Sequence, residues 1–306
     1  MYTIKMIYRF FYISLLTLLI SSCASKKEKE QLEEQTDLYF SMGTNALINK
    51  NYTIALTHLL KAEELAPNRS DIKNNLGMAY YFKEEKILAK QFITKSLELD
   101  PKNSDARSNL ASIYVEEKKY DLARKEYQNI LKDLTYPKQY LTYYNLGKIE
   151  YDQNNNLKAK NFFLQSVKEN PNACTSNYYV GLIEMREKNY KKAQEHFQQA
   201  YYGTCYTNEY PLFYHALSLE RDNNNQAALG RYQELIDRFP SSELSIKAKM
   251  QIKGLMIKNN QNPNNIQIEQ AKLSLPGKPI LGPEQNESIE SQNKNDNEEL
   301  VTTPEF

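Results

Sequence analysis

Asn74-Asn75-Leu76-Gly77-Met78-Ala79-Tyr80-Tyr81 decides the fold, because the chain repeats it in altered form: YYNLGKIEY at 143–151 and YYVGLIEM at 178–185. Outward from Gly77, small residues stand at Gly43, Gly77, Ala111, Gly147, Gly181 and Ala216. A second small residue follows each by twelve positions, at Ala55, Ala89, Ala123, Ala159, Ala193 and Ala228, in steps of 34, 34, 36, 34 and 35. Four residues after each Ala comes a large apolar or aromatic one: Leu59, Ile93, Tyr127, Phe163, Phe197 and Tyr232. A spacing of four keeps both residues on one face of a helix, and small side chains let two helix backbones cross closely. Pro67, Pro101, Pro137, Pro171 and Pro240 close five units, where a residue without an N–H stops the second helix. The unit is helix, short turn, helix, stop, with the large residues expected to fill the core between hairpins.

The 34-residue step with Leu-Gly, aromatic, Ala and Pro at these places resembles the tetratricopeptide repeat, over roughly residues 36–241. The resemblance implies an all-α fold, a right-handed superhelix of about six helix-turn-helix repeats. Departures are small: Trp is absent, the third unit has two extra residues before Pro137, and the fifth has Cys205 where Pro would stand. SELSIKAKMQIKGLMIK, residues 242–258, has helical apolar spacing and reads as a capping helix, so that the repeat domain spans 36–258.

Lys5 and Arg9 precede an uncharged apolar run from Phe10 to Ile20, which ends in Ser21-Ser22-Cys23. This is the layout of an export signal, 1–22, and eleven apolar residues cover only about half of a ~30 Å hydrocarbon core. LLISSC, 18–23, resembles a bacterial lipobox, which implies acylation of Cys23 and an anchor without a span. Ala24 in place of Asp implies the outer membrane, facing the periplasm. Residues 23–35, rich in Lys and Glu with a single Leu, read as a solvated tether, and 259–306, rich in Asn, Gln and Glu, as a disordered tail.

Of 39 bases, Lys5 and Arg9 leave with the signal, and 37 against 38 acids give no basic footprint for nucleic acid. His58, His196 and His215 fall in separate hairpins and are expected to be structural. No phosphate loop, HExxH, GxSxG or paired CxxC occurs, so no catalytic residue, metal, cofactor or small-molecule substrate is expected. Cys174 and Cys205 open and close the fifth unit, where an antiparallel hairpin brings its ends together. A disulfide there would close a loop of about 30 residues and contribute ~3–4 kcal/mol; two separate buried thiols are the alternative.

In a tetratricopeptide stack the first helices line a concave groove. Asn75, Asn109 and Asn145 share one place in three successive units, as a ladder of carboxamides for the main chain of an extended peptide, or merely as a repeat preference. Phe40, Met78, Tyr81, Tyr144, Tyr151 and Tyr178 lie beside the ladder; at least three are expected to be solvent-accessible, the rest packing between helices. With its lipobox, cysteine spacing and Phe239-Pro240-Ser241-Ser242 leading into the cap, the chain resembles the PilF/PilW family of type IV pilus biogenesis lipoproteins. The resemblance implies a pilotin that binds secretin subunits and promotes their delivery and multimerisation in the outer membrane. A scaffold recruiting periplasmic cell-wall enzymes, or a part of the outer-membrane protein insertion machine, stays open as an alternative.

Overall fold

Every hairpin turns on one residue that the backbone forces into the left-handed region. Lys50, Glu84, Lys118, Asn154, Lys188 and Asn223 all have φ between 58° and 64°. The next N–H then reaches five residues back, as from Asn51 to the Ala46 carbonyl at 2.8 Å and from Lys119 to that of Tyr114 at 2.8 Å. This Schellman-type closure satisfies carbonyls that the ending helix leaves free.

The computed structural model describes residues 27–202, 205 and 208–258; the export signal, Cys23 and the tail lie outside them. Among the described residues the chain is helical, without a strand. These residues form two compact units, one ending at Asp133 and one beginning at Leu134. The first holds α1 (27–48), α2 (Tyr52–Leu65), α3 (Ser70–Phe82), α4 (Lys86–Leu99), α5 (Ser104–Glu116) and α6 (Tyr120–Ile130). The second holds α7 (Gln139–Asp152), α8 (Asn156–Glu169), α9 (Cys174–Arg186), α10 (Tyr190–Tyr201), α11 (Glu209–Arg221), α12 (Asn225–Arg238) and α13 (Glu243–Lys258). The boundary falls in the connection that carries the two extra residues, beside Leu134, which is 86% exposed.

In four hairpins a glycine of the first helix is a seat for the large residue of the second. A Cβ built on Gly43 would lie 2.6 Å from Leu59 Cγ, one on Gly77 2.5 Å from Ile93 Cγ1, and one on Gly147 2.7 Å from the Phe163 ring. The large residues therefore pack inside their own hairpin as well as in the core shared with neighbouring hairpins. Leu59, Ile93, Tyr127, Phe163, Phe197 and Tyr232 are all fully buried. At ~25 cal/mol per Å² such burial is the main stabilising contribution.

Of the tether expected at 23–35, residues 27–35 are described. Residues 27–35 are exposed, yet helical and continuous with α1. Lys, Glu and Gln are strong helix formers, so the helix already required from Thr36 onward extends backward without a buried face. The cap α13 packs one side, Leu244, Ser245, Ala248, Ile252 and Leu255, against the second unit's core, while Ile246, Met250 and Ile257 face outward.

Cys174 opens α9 and Cys205 follows α10; the two form a disulfide with Cα atoms 5.6 Å apart and a sequence separation of 31. Nearby, the Tyr201 hydroxyl meets His215 Nδ1 at 2.9 Å. Burial, with Arg231 adding to it, pushes His215 down to about 3, and burial pushes Tyr201 up to about 12. Burial also lowers His196, whose Nδ1 lies 3.0 Å from Asn177 Oδ1.

Candidate protein-binding surface

In the first unit the carboxamides are spent on one another. Asn75 donates to Thr44 Oγ1 at 2.8 Å, Asn74 to Asn75 Oδ1 at 3.2 Å, and Asn109 to Asn74 Oδ1 at 2.9 Å. Asn75 is 8% exposed and Asn109 is 0% exposed. This corrects the groove assignment: Asn74, unnoticed in the sequence, bridges its neighbours and turns the expected peptide-binding ladder into an internal strut between α1, α3 and α5. Asn109 Oδ1 ends the strut without a partner among the described residues. Asn145, in the second unit, keeps partial exposure.

The aromatic candidates divide. Met78 is fully buried and Tyr178 nearly so, which places both in the core instead of a groove. Phe40, Tyr81, Tyr144 and Tyr151 are half-buried. Phe40 lies under the Arg69 guanidinium, 5.0 Å from the ring centroid, and Arg69 is paired with Asp37 and Asp71. The Tyr81 hydroxyl donates to Glu116 Oε2 at 2.6 Å, and Glu116 also pairs with Lys86. Burial pushes the Glu116 carboxyl up, but these two hydrogen bonds outweigh it and its pKa lies below the usual range.

The second unit carries a connected run of rings along its first helices. Tyr151 of α7 meets Tyr179 of α9 edge-on at 4.9 Å, Tyr144 lies 6.2 Å from the same ring, and Tyr178 meets Tyr214 of α11 at 5.8 Å. Leu182 and Met185 are half-buried against the same cluster. Burial raises the pKa of Tyr151, Tyr178 and Tyr179, so all three remain neutral hydroxyls near neutral pH. Cations border the run: Arg186 sits 4.6 Å from the Tyr151 centroid, and Lys148, 5.9 Å from that of Tyr179, pairs with Asp152 at 2.5 Å. Half-buried aromatics with fixed positions and a charged margin are suited to a partner that brings apolar side chains and a hydrogen-bonding main chain. Tyr179, Leu182, Met185 and Tyr214 escaped the sequence reading, although their signal was present in the doubled Tyr178-Tyr179 and in the period that carries it to Phe213-Tyr214.

With six hairpins, their small-residue seats and the common turn in view, family models described as "Tetratricopeptide repeat" match residues 70–103, 92–125, 140–173 and 212–242. The hairpins are tetratricopeptide repeats. A solved structure from a functional characterisation of Pseudomonas aeruginosa pilF is 22% identical, with a TM-score of 0.63 over 72% of this chain and 99% of that one. The structure of PilW, described as a widely conserved type IV pilus biogenesis factor, is 16% identical, with a TM-score of 0.60 over 69% of this chain and 97% of that one. The C-terminal part of a tetratricopeptide protein from Cytophaga hutchinsonii is 19% identical, with a TM-score of 0.58 over 72% and 88%. No curated protein matches the sequence significantly. The chain thus resembles PilF and PilW in fold, and a tetratricopeptide fold is a scaffold for protein interaction. Among the described residues no group of side chains is arranged to hold a metal, and no helix is long and apolar enough to cross a membrane.

Proposed function

We propose that this protein is an outer-membrane lipoprotein, anchored through Cys23, that binds secretin subunits and promotes their localisation and multimerisation during type IV pilus biogenesis. It works by binding and performs no catalysis. The observation that carries the binding role is the half-buried Tyr144, Tyr151 and Tyr214, held on the first helices of the second unit by the buried Tyr178 and Tyr179 that connect them. What supports the pilus assignment is a likeness spanning nearly the whole of the PilF and PilW chains, together with the lipobox LLISSC in the sequence. Asn145 belongs to the binding surface of the second unit in this reading and Phe40 and Tyr81 to one on the first, while the strut residues Asn75 and Asn109 belong to neither.

The test is deletion of the protein followed by unheated gels of membrane extracts. Loss of heat-resistant secretin multimers is expected; multimers at normal abundance in the outer membrane would refute the role. Restoring the chain as Tyr151→Ala/Tyr214→Ala should fail to restore multimers while the purified variant keeps its helicity.

A further inference from the structure

The ring run of the second unit presents more hydrogen-bond donors than the fold uses. Tyr178 and Tyr179 are buried, Tyr144, Tyr151 and Tyr214 are half-buried, and Tyr210 is 41% exposed. Tyr151, Tyr179, Tyr210 and Tyr214 all lie within electrostatic reach of the Tyr178 hydroxyl, so that five phenols from α7, α9 and α11 gather in one place. Among the described residues the hydroxyls of Tyr178, Tyr179, Tyr210 and Tyr214 have no hydrogen-bond partner. Two cations stand beside them in register: Arg186 and Arg221 each follow the small residue of their first helix, Gly181 or Ala216, by five positions. Both are exposed, and among the described residues neither pairs with a carboxylate. Arg186 lies over the Tyr151 ring and donates to Asn156 Oδ1 at 3.2 Å. Asp152, which borders Tyr151 and Tyr179, is already held by Lys148.

We infer that this surface receives an extended, proline-rich segment carrying acidic residues, a reading that rests on the proposed binding role and names the kind of segment bound. A helical partner has its carbonyls bonded along its own axis and would leave the phenol donors without acceptors. A polyproline II segment has no internal hydrogen bonds, so its carbonyls face outward and accept, and proline brings no N–H that would need an acceptor here. Its pyrrolidine rings pack on aromatic faces, the contact by which proline-rich segments dock in aromatic-lined grooves. The periods agree as well. Three residues of such a segment advance ~9.3 Å, and packed helices lie ~8–10 Å apart, so every third residue meets the next first helix. Arg186 and Arg221, one repeat apart, supply the charge complement for acidic residues spaced by the same step.

Fluorescence anisotropy tests this with the full chain in detergent and a labelled peptide of four Pro-Pro-Glu triplets, against a peptide of four Ala-Ala-Glu triplets with the same charge. The proline peptide alone is expected to bind. Tyr214→Phe keeps the ring and removes a hydroxyl that has no partner among the described residues, so the variant should fold unchanged and bind about 2- to 10-fold more weakly. Arg186→Gln/Arg221→Gln is expected to remove most of the salt dependence of binding. Equal binding of both peptides, or full affinity in Tyr214→Phe, overturns the proposal. No binding of the proline peptide overturns it too; if deletion of the chain still abolishes secretin multimers, the pilus role stands and only the proline-rich segment falls. Binding of the proline peptide with multimers intact after deletion supports the segment and sinks the pilus role.

Discussion

Gly181→Ala and Gly254→Ala are the same chemical change in the same unit, and they are expected to have opposite effects. Each replaces a helical glycine by the best helix former, a gain of ~0.8–1 kcal/mol where nothing opposes it. Nothing lies within 4 Å of a Cβ on Gly254, so Gly254→Ala should stabilise by about that amount. On Gly181 the Cβ would lie 2.5 Å from Phe197 Cε1, 2.6 Å from Cδ1 and 2.9 Å from Cζ. That ring cannot step aside, since it is fully buried with Tyr178 at 6.1 Å and Tyr214 at 5.9 Å. Overpacking of this kind costs ~1–3 kcal/mol, so Gly181→Ala should be net destabilising by about 1 kcal/mol. The difference between the two variants then measures the steric clash alone. Urea unfolding followed by circular dichroism reads both values. If Gly181→Ala stabilises as much as Gly254→Ala, the seat is not sterically required and the account of the repeat spacing fails. Ala111 and Ala216 occupy the same place in hairpins whose large residue is Tyr127 or Tyr232, so Phe197→Tyr combined with Gly181→Ala is not expected to behave as the sum of its parts.

Replacing Glu84, Lys118 or Lys188 by Gly should stabilise each hairpin by ~0.5–1 kcal/mol, because the left-handed conformation costs a non-glycine residue ~1–2 kcal/mol and glycine's unfolded-state entropy returns only part of that. Asn154→Gly should gain less, since Asn tolerates that conformation, and equal gains at all four sites in thermal melts would contradict the argument. Removing the disulfide as Cys174→Ala/Cys205→Ala should lower the stability of the second unit by up to ~3–4 kcal/mol for a loop of this length, with unfolding of the first unit unchanged. His215 binds its proton at about 3 in the folded chain and near 6.5 when unfolded, so the unfolded state takes up protons first and stability falls as pH drops from 6.5 toward 3. Between pH 7.5 and 5 this amounts to about 2 kcal/mol, with His196 acting in the same direction, and His215→Gln should flatten the slope; an unchanged slope counts against a neutral buried imidazole.

The repeat, its count and its turns were readable because packing at a fixed period leaves one kind of side chain at each seat. Side was harder to read than register. Asn75 and Asn109 keep the period of a groove residue, yet each first helix is packed on more than one flank, and the bridging Asn74 draws both amides inward. Met78 shares that fate, since thioether groups fill cores as readily as they meet partners. The charge of 27–35 excludes a buried face, and these residues are exposed, but exclusion from the core does not prevent a helix from running on. How deeply the tyrosines of a doubled pair are buried depends on contacts between neighbouring repeats, and these become visible only once Tyr179 and Tyr214 are placed beside Tyr151 and Tyr178.

The glycine seats also bear on how the chain acquires its structure. Gly43 and Leu59, or Gly147 and Phe163, are sixteen residues apart in sequence, so each hairpin's tightest fit closes a short loop at small entropic cost. Such local closure favours rapid folding that can start in any hairpin and spread to its neighbours. Damage to one seat should then slow a single local step and leave remote hairpins free to form on schedule.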